Sequence, residues 1–396
     1  MEMNRILMCR ERPVMEFRYF PTGGYALMAG EIFDRDRVPF GMWVDGRPEL
    51  TGESITRWWR SRGVPMTRDG VRTVLSGMGI PLAFDLLDRS LGLSLSDQYW
   101  VRPLDRDDLQ WTDLNFFHND FDEQLGRALF HGNSSQVSDM NTPDVTSAGD
   151  LPKRWVIAPD GTRELIKAGR SGQEPDNEII ASRVADLLGM AHVEYRIGHA
   201  QGKRVCICPD MVTDREELIP GGQLMPLFRK DSNEARKAVW IDACERAGAD
   251  RDAVVGATDD FLLLDYLLRN IDRHYNNFGL IRDVETLAVS PAPIFDTGES
   301  LFNGMDLEMM DNDDYPAKPF WLDDAGEKPN ARWQLSLIEN WDRWDLTVLD
   351  AVPDIVRDQL STNSRLPERI VGRVAELVCQ RADEVRRIHR RTRRNR

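Results

Sequence analysis

The chain has 396 residues, 41% of them hydrophobic and 30% charged, the proportions of an ordinary soluble protein with room for two or three cores. A formal net charge of −15 excludes nonspecific nucleic-acid binding as the main work of the whole molecule. Its five cysteines include no CxxC pair, no HExxH accompanies them, and MEMNRILMCRERP lacks a signal-peptide core, so a cytoplasmic protein without a membrane span is expected.

Residues 2–45 read as strands, with RILMCRERPVMEFRYF and YALMAGEIF separated by the turn signal PTGG. From TGESITRWWRSRG to LLDRSLGL the period becomes helical, with Thr51 and Ser54 as candidate caps. ITRWWRSRG mixes aromatic and basic residues. Without a paired helix-turn-helix signature it reads as a packing helix with its arginines outward rather than a DNA-reading one. HGNSSQVSDMNTPDV, rich in Ser, Asn, Asp and Gly, marks a domain boundary.

KRWVIAP and RELIKAG are two short strands joined by Asp160-Gly161, a hairpin signal. A helix follows in EPDNEIIASRVADLLG, where Ile179, Val184, Leu187 and Leu188 share a face and Gly189 is the stop. AHVEYRIG and KRVCICPDMV return to strands, Cys206 and Cys208 reading as small buried residues rather than metal ligands. After about residue 225 the chain reads as mainly helical, apart from loops at 272–300. A long helix from about 366 runs into the basic end RRIHRRTRRNR, residues 386–396. This divides the chain into an N-terminal α/β subdomain over 1–135, a β-rich lobe over 136–225 and a helical lobe over 226–396, an α+β bilobal architecture.

The chemistry concentrates in RNIDRHYNNFGL and IFDTGESL. A helix as apolar as FLLLDYLL is buried, so the polar loop that follows is held by the core; unpaired buried groups there would cost roughly 1–3 kcal/mol each. FGLIRD and LAVSPAPIF form a hairpin whose ends bring Asn277 to Asp296, a hard-oxygen pair suited to Mg²⁺. Asp272, five residues before Asn277, is placed to accept a proton from an attacking hydroxyl. Lys167 stands alone in the strand LIKAG, and Glu178 opens the next helix, where a first-turn acid is also favoured by the helix dipole. Lysine, glutamate, aspartate, asparagine and aspartate in this order match the layout of a kinase-type site for ATP and Mg²⁺.

DRHYNN followed by IFDTGESL resembles the catalytic loop and metal segment of HipA-like serine/threonine kinases, distantly similar to phosphatidylinositol 3-kinase-related enzymes. TSAGDLPKRW, LIKAG and EPDNEIIASRVADLLG resemble the phosphate loop, strand lysine and first helix of that family, over roughly residues 145–390. The resemblance implies a kinase-like fold with Asp272 as catalytic base, His274 bracing its loop, and Asn277 and Asp296 as Mg²⁺ ligands. Lys167 would meet the nucleotide phosphates, with Glu178, Gly149 and Lys153 as further cofactor-binding positions. In the family the phosphate loop carries a self-phosphorylated serine; counting back from Lys153, the matching position is Thr146, with Ser147 beside it. It further implies a protein substrate carrying the acceptor hydroxyl and a toxin role with a small DNA-binding antitoxin partner. The basic end reads as a solvated helix terminus or as a nucleic-acid contact. Two other functions fit the same residues: a small-molecule or lipid kinase, and a catalytically silent nucleotide-binding or DNA-associated regulator.

Overall fold

The structure, a computed structural model, describes residues 3–20, 26–44, 47–48, 50–80, 83–132, 141–225, 236–311, 315–316, 318–320 and 329–395. The PTGG turn, most of the HGNSSQVSDMNT boundary and the division at 135/136 lie outside the described residues. The chain folds as two compact units whose segments alternate along the sequence. One comprises Met1–Lys167, Pro209–Arg229 and Ile281–Val289; the other comprises Ala168–Cys208, Lys230–Leu280 and Ser290–Arg396.

In the first unit, strands Ala26–Ile32, Arg12–Phe20, Met3–Cys9 and Tyr99–Pro103 lie side by side in that order, every pair antiparallel. Alternation puts Leu7, Cys9, Met15 and Phe17 into the core, and Val14 is buried beside them. The helix Gly52–Ser61 packs Ile55, Trp58 and Trp59 against them. It starts where the sequence places it, because the Thr51 hydroxyl accepts the Ser54 N–H at 3.1 Å. Truncating either indole to Ala would cost about 3–5 kcal/mol. Arg57 and Arg60 face solvent as expected, but Arg62, just past the helix, turns inward. It grips Asp97 at 2.6 and 2.9 Å and lies over the Trp58 ring. The expectation that all the arginines of this segment point outward is corrected there, since the partly buried Asp97 carboxylate draws the guanidinium in.

The same unit contains the hairpin of Lys153–Ile157 and Arg163–Ala168, closed at the Asp160-Gly161 turn with Gly161 at φ 87. A left-handed residue is what this turn needs, and glycine supplies it without strain.

The second unit is mainly helical. Helix Glu174–Leu188 ends at Gly189, φ 67, as its sequence predicts. Strands Arg196–Ala200 and Lys203–Pro209 form an antiparallel hairpin in which Cys206 and Cys208 are buried, unbridged residues. Helix Arg251–Leu268 begins at Asp250, which caps the Ala253 N–H at 2.8 Å, and Phe261 through Leu268 are all buried. Helix Glu368–Asn395 has 28 residues and buries the stripe Val371, Val374, Val378, Ala382 and Val385. At its basic end Arg386 pairs with Asp350 and Asp383, and Arg393 with Asp342, while Arg387, Arg390, Arg391 and Arg394 are exposed. Among the described residues no helix is long and apolar enough to cross a membrane.

Candidate functional site

In the second unit the polar loop hangs from the end of helix Arg251–Leu268. Arg269 takes the left-handed conformation (φ 55) that ends the helix, and the loop then turns back over it. Its organiser is Arg273, 1% exposed. The guanidinium donates to both oxygens of Asp265, one helical turn inside the helix, at 2.8 and 2.9 Å. Its other nitrogen donates to the carbonyl of Asn277 and, at 2.8 Å, to that of Phe295. Burial pushes the Arg273 pKa down, but the opposing Asp265 charge wins and holds it above its ordinary value. Asn270 adds a third bond to Asp265, at 2.8 Å.

One guanidinium nitrogen thus ties the residue Asn277 to the residue before Asp296, which is the convergence the hairpin predicts. The Asn277 amide donates to the Asp272 carbonyl at 3.1 Å, which leaves its Oδ1 turned to accept. Asp296 adopts φ 57, a left-handed conformation that Asp tolerates better than most residues and that recurs at functional sites. Its N–H donates to the Tyr195 hydroxyl at 3.4 Å. The Asp272 carboxylate is partly exposed, 3.6 Å from Lys318 Nζ and 3.8 Å from His274 Nε2. His274 Nδ1 accepts the Asn276 N–H at 3.2 Å, so the imidazole bridges within its own loop.

Helix Glu174–Leu188 holds the segment after Asp296 from the other side. Glu178 Oε2 accepts the Thr297 N–H at 2.8 Å and its hydroxyl at 2.7 Å. Asn177 donates to the Gly298 and Ser300 carbonyls at 2.7 and 2.9 Å. The fully buried Asp176 is met by Arg204, Gln359 and Asn363. Burial holds the Glu299 carboxyl above its ordinary range; the nearby Glu174 and Asp272 charges add to that, against an Asn303 hydrogen bond. Among the described residues no three His, Cys, Asp or Glu side chains gather into a metal site. The two hard-oxygen groups that could hold a metal here are one amide oxygen, Asn277 Oδ1, and one carboxylate, Asp296. That sparse hard-oxygen set fits Mg²⁺, which keeps waters and completes its shell with substrate phosphates.

The first unit holds the other predicted residues. Lys153 and Lys167 are register partners on adjacent antiparallel strands, and both are buried. Their side chains leave the same face of the hairpin, side by side. The loop before Lys153 follows a short turn, Pro143–Thr146. There the Thr146 hydroxyl is buried, with its one hydrogen shared between the Leu93 and Pro143 carbonyls at 3.0 and 3.1 Å. The Ser147 hydroxyl donates to Asp144 O at 3.0 Å and accepts from Arg68 at 2.9 Å. Gly149 has φ 85, and a Cβ built on it would lie 2.5 Å from Lys153 Nζ. Its left-handed backbone is what favours glycine here; a longer side chain would also push the Lys153 ammonium aside.

No protein-family profile matches the chain. The serine/threonine-protein kinase CtkA of Helicobacter pylori (strain J99 / ATCC 700824) is 28% identical over 130 residues, 32% of this chain. The match spans 40% of that relative's length. A crystal structure described as a Helicobacter pylori proinflammatory kinase CtkA aligns with 59% of this chain and 89% of its own, at 20% identity and a TM-score of 0.45. A chain of the Shewanella oneidensis MR-1 toxin–antitoxin complex of HipA, HipB and its operator DNA aligns with 97% of this chain and 99% of its own. There the identity is 14% and the TM-score 0.57. The chain resembles HipA-like kinases. It shares the α+β fold of the aligned chain of that HipA–HipB–DNA structure over nearly its whole length, beyond the residues 145–390 over which the sequence motifs resemble that family.

Sequence reasoning missed three organisers: Arg273, Asp265 and Arg68. The first two carried a signal, since an Arg inside DRHYNN and an Asp inside FLLLDYLL are charges in an apolar setting, and each is the natural answer to the other. Asp176 and Asn177, in the run PDNE that opens a buried helix, were legible in the same way. Nothing local marks Arg68.

Proposed function

We propose that the chain is an ATP- and Mg²⁺-dependent kinase that phosphorylates a Ser or Thr hydroxyl of a protein. In this reading Asp272 takes the proton of the acceptor hydroxyl as its oxygen bonds to the γ-phosphorus. The bond from that phosphorus to the β–γ bridging oxygen breaks, and ADP leaves. Asn277 and Asp296 would hold Mg²⁺, which when bound neutralises charge on the phosphates. Lys153, Lys167 and the loop at Gly149 bind phosphate oxygens. His274 orients the loop, and Glu178 braces the segment after Asp296 through Thr297. The observation that supports this reading most is the Arg273 bracket, because a buried ion pair holds the carbonyls of Asn277 and Phe295 on one nitrogen while the Asn277 amide meets the Asp272 carbonyl.

By analogy with the toxin–antitoxin neighbour we propose a toxin role and a partner that binds DNA, with the basic helix end as a candidate contact for that assembly. Self-phosphorylation at Thr146 or Ser147 would require the loop to leave its present position, since both hydroxyls are engaged where they are.

The test is incubation with Mg²⁺ and ATP beside Asp272→Ala, with a generic Ser/Thr-rich protein as acceptor. Both proteins are weighed intact afterwards, and ATP binding is measured by calorimetry. Phosphate added to the chain or the acceptor by the wild type alone is the expected result. A wild type that binds no ATP overturns the reading.

A further inference from the structure

Arg68 lies far from every motif in the sequence, yet it is only 2% exposed and spends its donors on one target. Nε donates to Gly149 O at 2.8 Å, Nη1 to the Ser147 hydroxyl at 2.9 Å, and Nη2 to the Ser147 and Ala148 carbonyls at 2.5 and 2.9 Å. Three consecutive carbonyls are therefore gathered on one guanidinium. In a planar trans peptide the C=O of one residue and the N–H of the next point in opposite directions. The N–H groups of Ala148, Gly149 and Asp150 must then face away from Arg68 together. None of the three makes a hydrogen bond among the described residues, and all three residues are exposed. A row of N–H groups turned to one side around a left-handed glycine is an anion-binding concavity. The Lys153 ammonium lies against the same glycine, and Lys167 is its cross-strand partner.

We propose that Arg68 is a positioning residue that pre-forms the phosphate-binding concavity of residues 148–150 by holding the carbonyls of residues 147–149 on its far side. This deepens, and rests on, the reading of that loop as the nucleotide phosphate site. Asp144 and Asp150 balance the buried charge of Arg68. Thr67 fixes Asp150 at 2.6 Å, so the clamp is built from both sides of the loop. Arg68 itself touches no phosphate; without it the three amides are free to turn individually, and the order must be supplied when the ligand binds. Lysine cannot replace it, because three donors on one nitrogen do not span the carbonyls that the planar fork reaches.

The experiment compares wild type, Arg68→Lys and Arg68→Met by calorimetry with three probes: Mg·ATP, adenosine and inorganic tripolyphosphate. Thermal unfolding checks that each variant is folded. Arg68→Lys serves where Arg68→Met does not fold. The expected result is a Kd for Mg·ATP and tripolyphosphate raised about tenfold or more in the variants, with adenosine affinity kept. Equal affinity for tripolyphosphate in wild type and a folded variant overturns the assignment. So does loss of adenosine binding in step with ATP, which would mean a general structural role. A wild type that binds tripolyphosphate in an Arg68-dependent way but binds neither ATP nor adenosine keeps the concavity and removes the kinase reading. A wild type that binds no tripolyphosphate removes the concavity.

Discussion

Arg273 and Arg68 are both buried arginines that collect backbone carbonyls, but they reach them across very different stretches of chain. Arg273 grips Asp265 8 residues before it and Asn277 4 residues after it, and extends 22 residues to Phe295. Arg68 reaches its carbonyls across 79 to 81 residues. The loop after helix Arg251–Leu268, proposed as catalytic, thus carries most of its scaffold within its own segment, while the loop at 147–150, proposed as the phosphate loop, borrows its scaffold from the N-terminal region. A loop built the first way keeps its geometry wherever its helix is intact. A loop built the second way is conditional on a distant element, and its order can be changed without touching the chemistry.

The largest effect that would break this contrast is at Asp272. Asp272→Asn should lower turnover by about 10² to 10⁴, the scale of a lost general base, while the Kd for Mg·ATP stays within about threefold. Steady-state rates beside calorimetry check it, and a large loss of affinity would mean that Asp272 belongs to the binding apparatus. Next comes the Arg273 bracket. Asp265→Ala leaves a buried guanidinium without its partner and should lower unfolding stability by about 3–5 kcal/mol, read from denaturant midpoints.

Asp144 supplies a third test, on the phosphate-loop side. Burial raises its carboxyl from 3.8 to about 6, against hydrogen bonds from the Trp155 N–H and Thr142 and the charges of Arg68 and Arg154. Its folded pKa lies above the unfolded one, so between those values the folded state holds a proton that the unfolded chain has released. Stability should therefore fall as pH rises from about 4 to about 6, by on the order of 2–3 kcal/mol from this group. Asp144→Asn should flatten that slope, measured as unfolding free energy against pH. The smallest effect is expected at Lys318, whose pair with Asp272 is exposed: Lys318→Ala should change turnover by less than about fivefold.

The same contrast explains what could be read from the sequence. Asp272, Asn277 and Asp296 were legible because polar groups crowd directly after an apolar helix and at two ends of one hairpin, where local period and turn chemistry settle proximity. Lys153 and Lys167 were legible as residues, but their direct opposition is a matter of strand register, which the Asp160-Gly161 turn fixes only once its hydrogen bonds are formed. That Glu178 holds Thr297 could not be read, because the bond joins residues 119 apart. Arg68 sits in PMTRDG, where it looks like any surface charge. Arg62 misled in the same way: an arginine at a helix end is usually solvated, and only the tertiary position of Asp97 draws it inward.

The most direct test is to measure, side by side, Mg·ATP affinity and turnover at saturating ATP for wild type, Asp272→Asn and Arg68→Lys. The account predicts a double separation: Asp272→Asn keeps its affinity and loses turnover, while Arg68→Lys loses affinity with the loss concentrated in KM. If both variants lose the same quantity to the same degree, the division between a chemistry loop and a phosphate loop is contradicted.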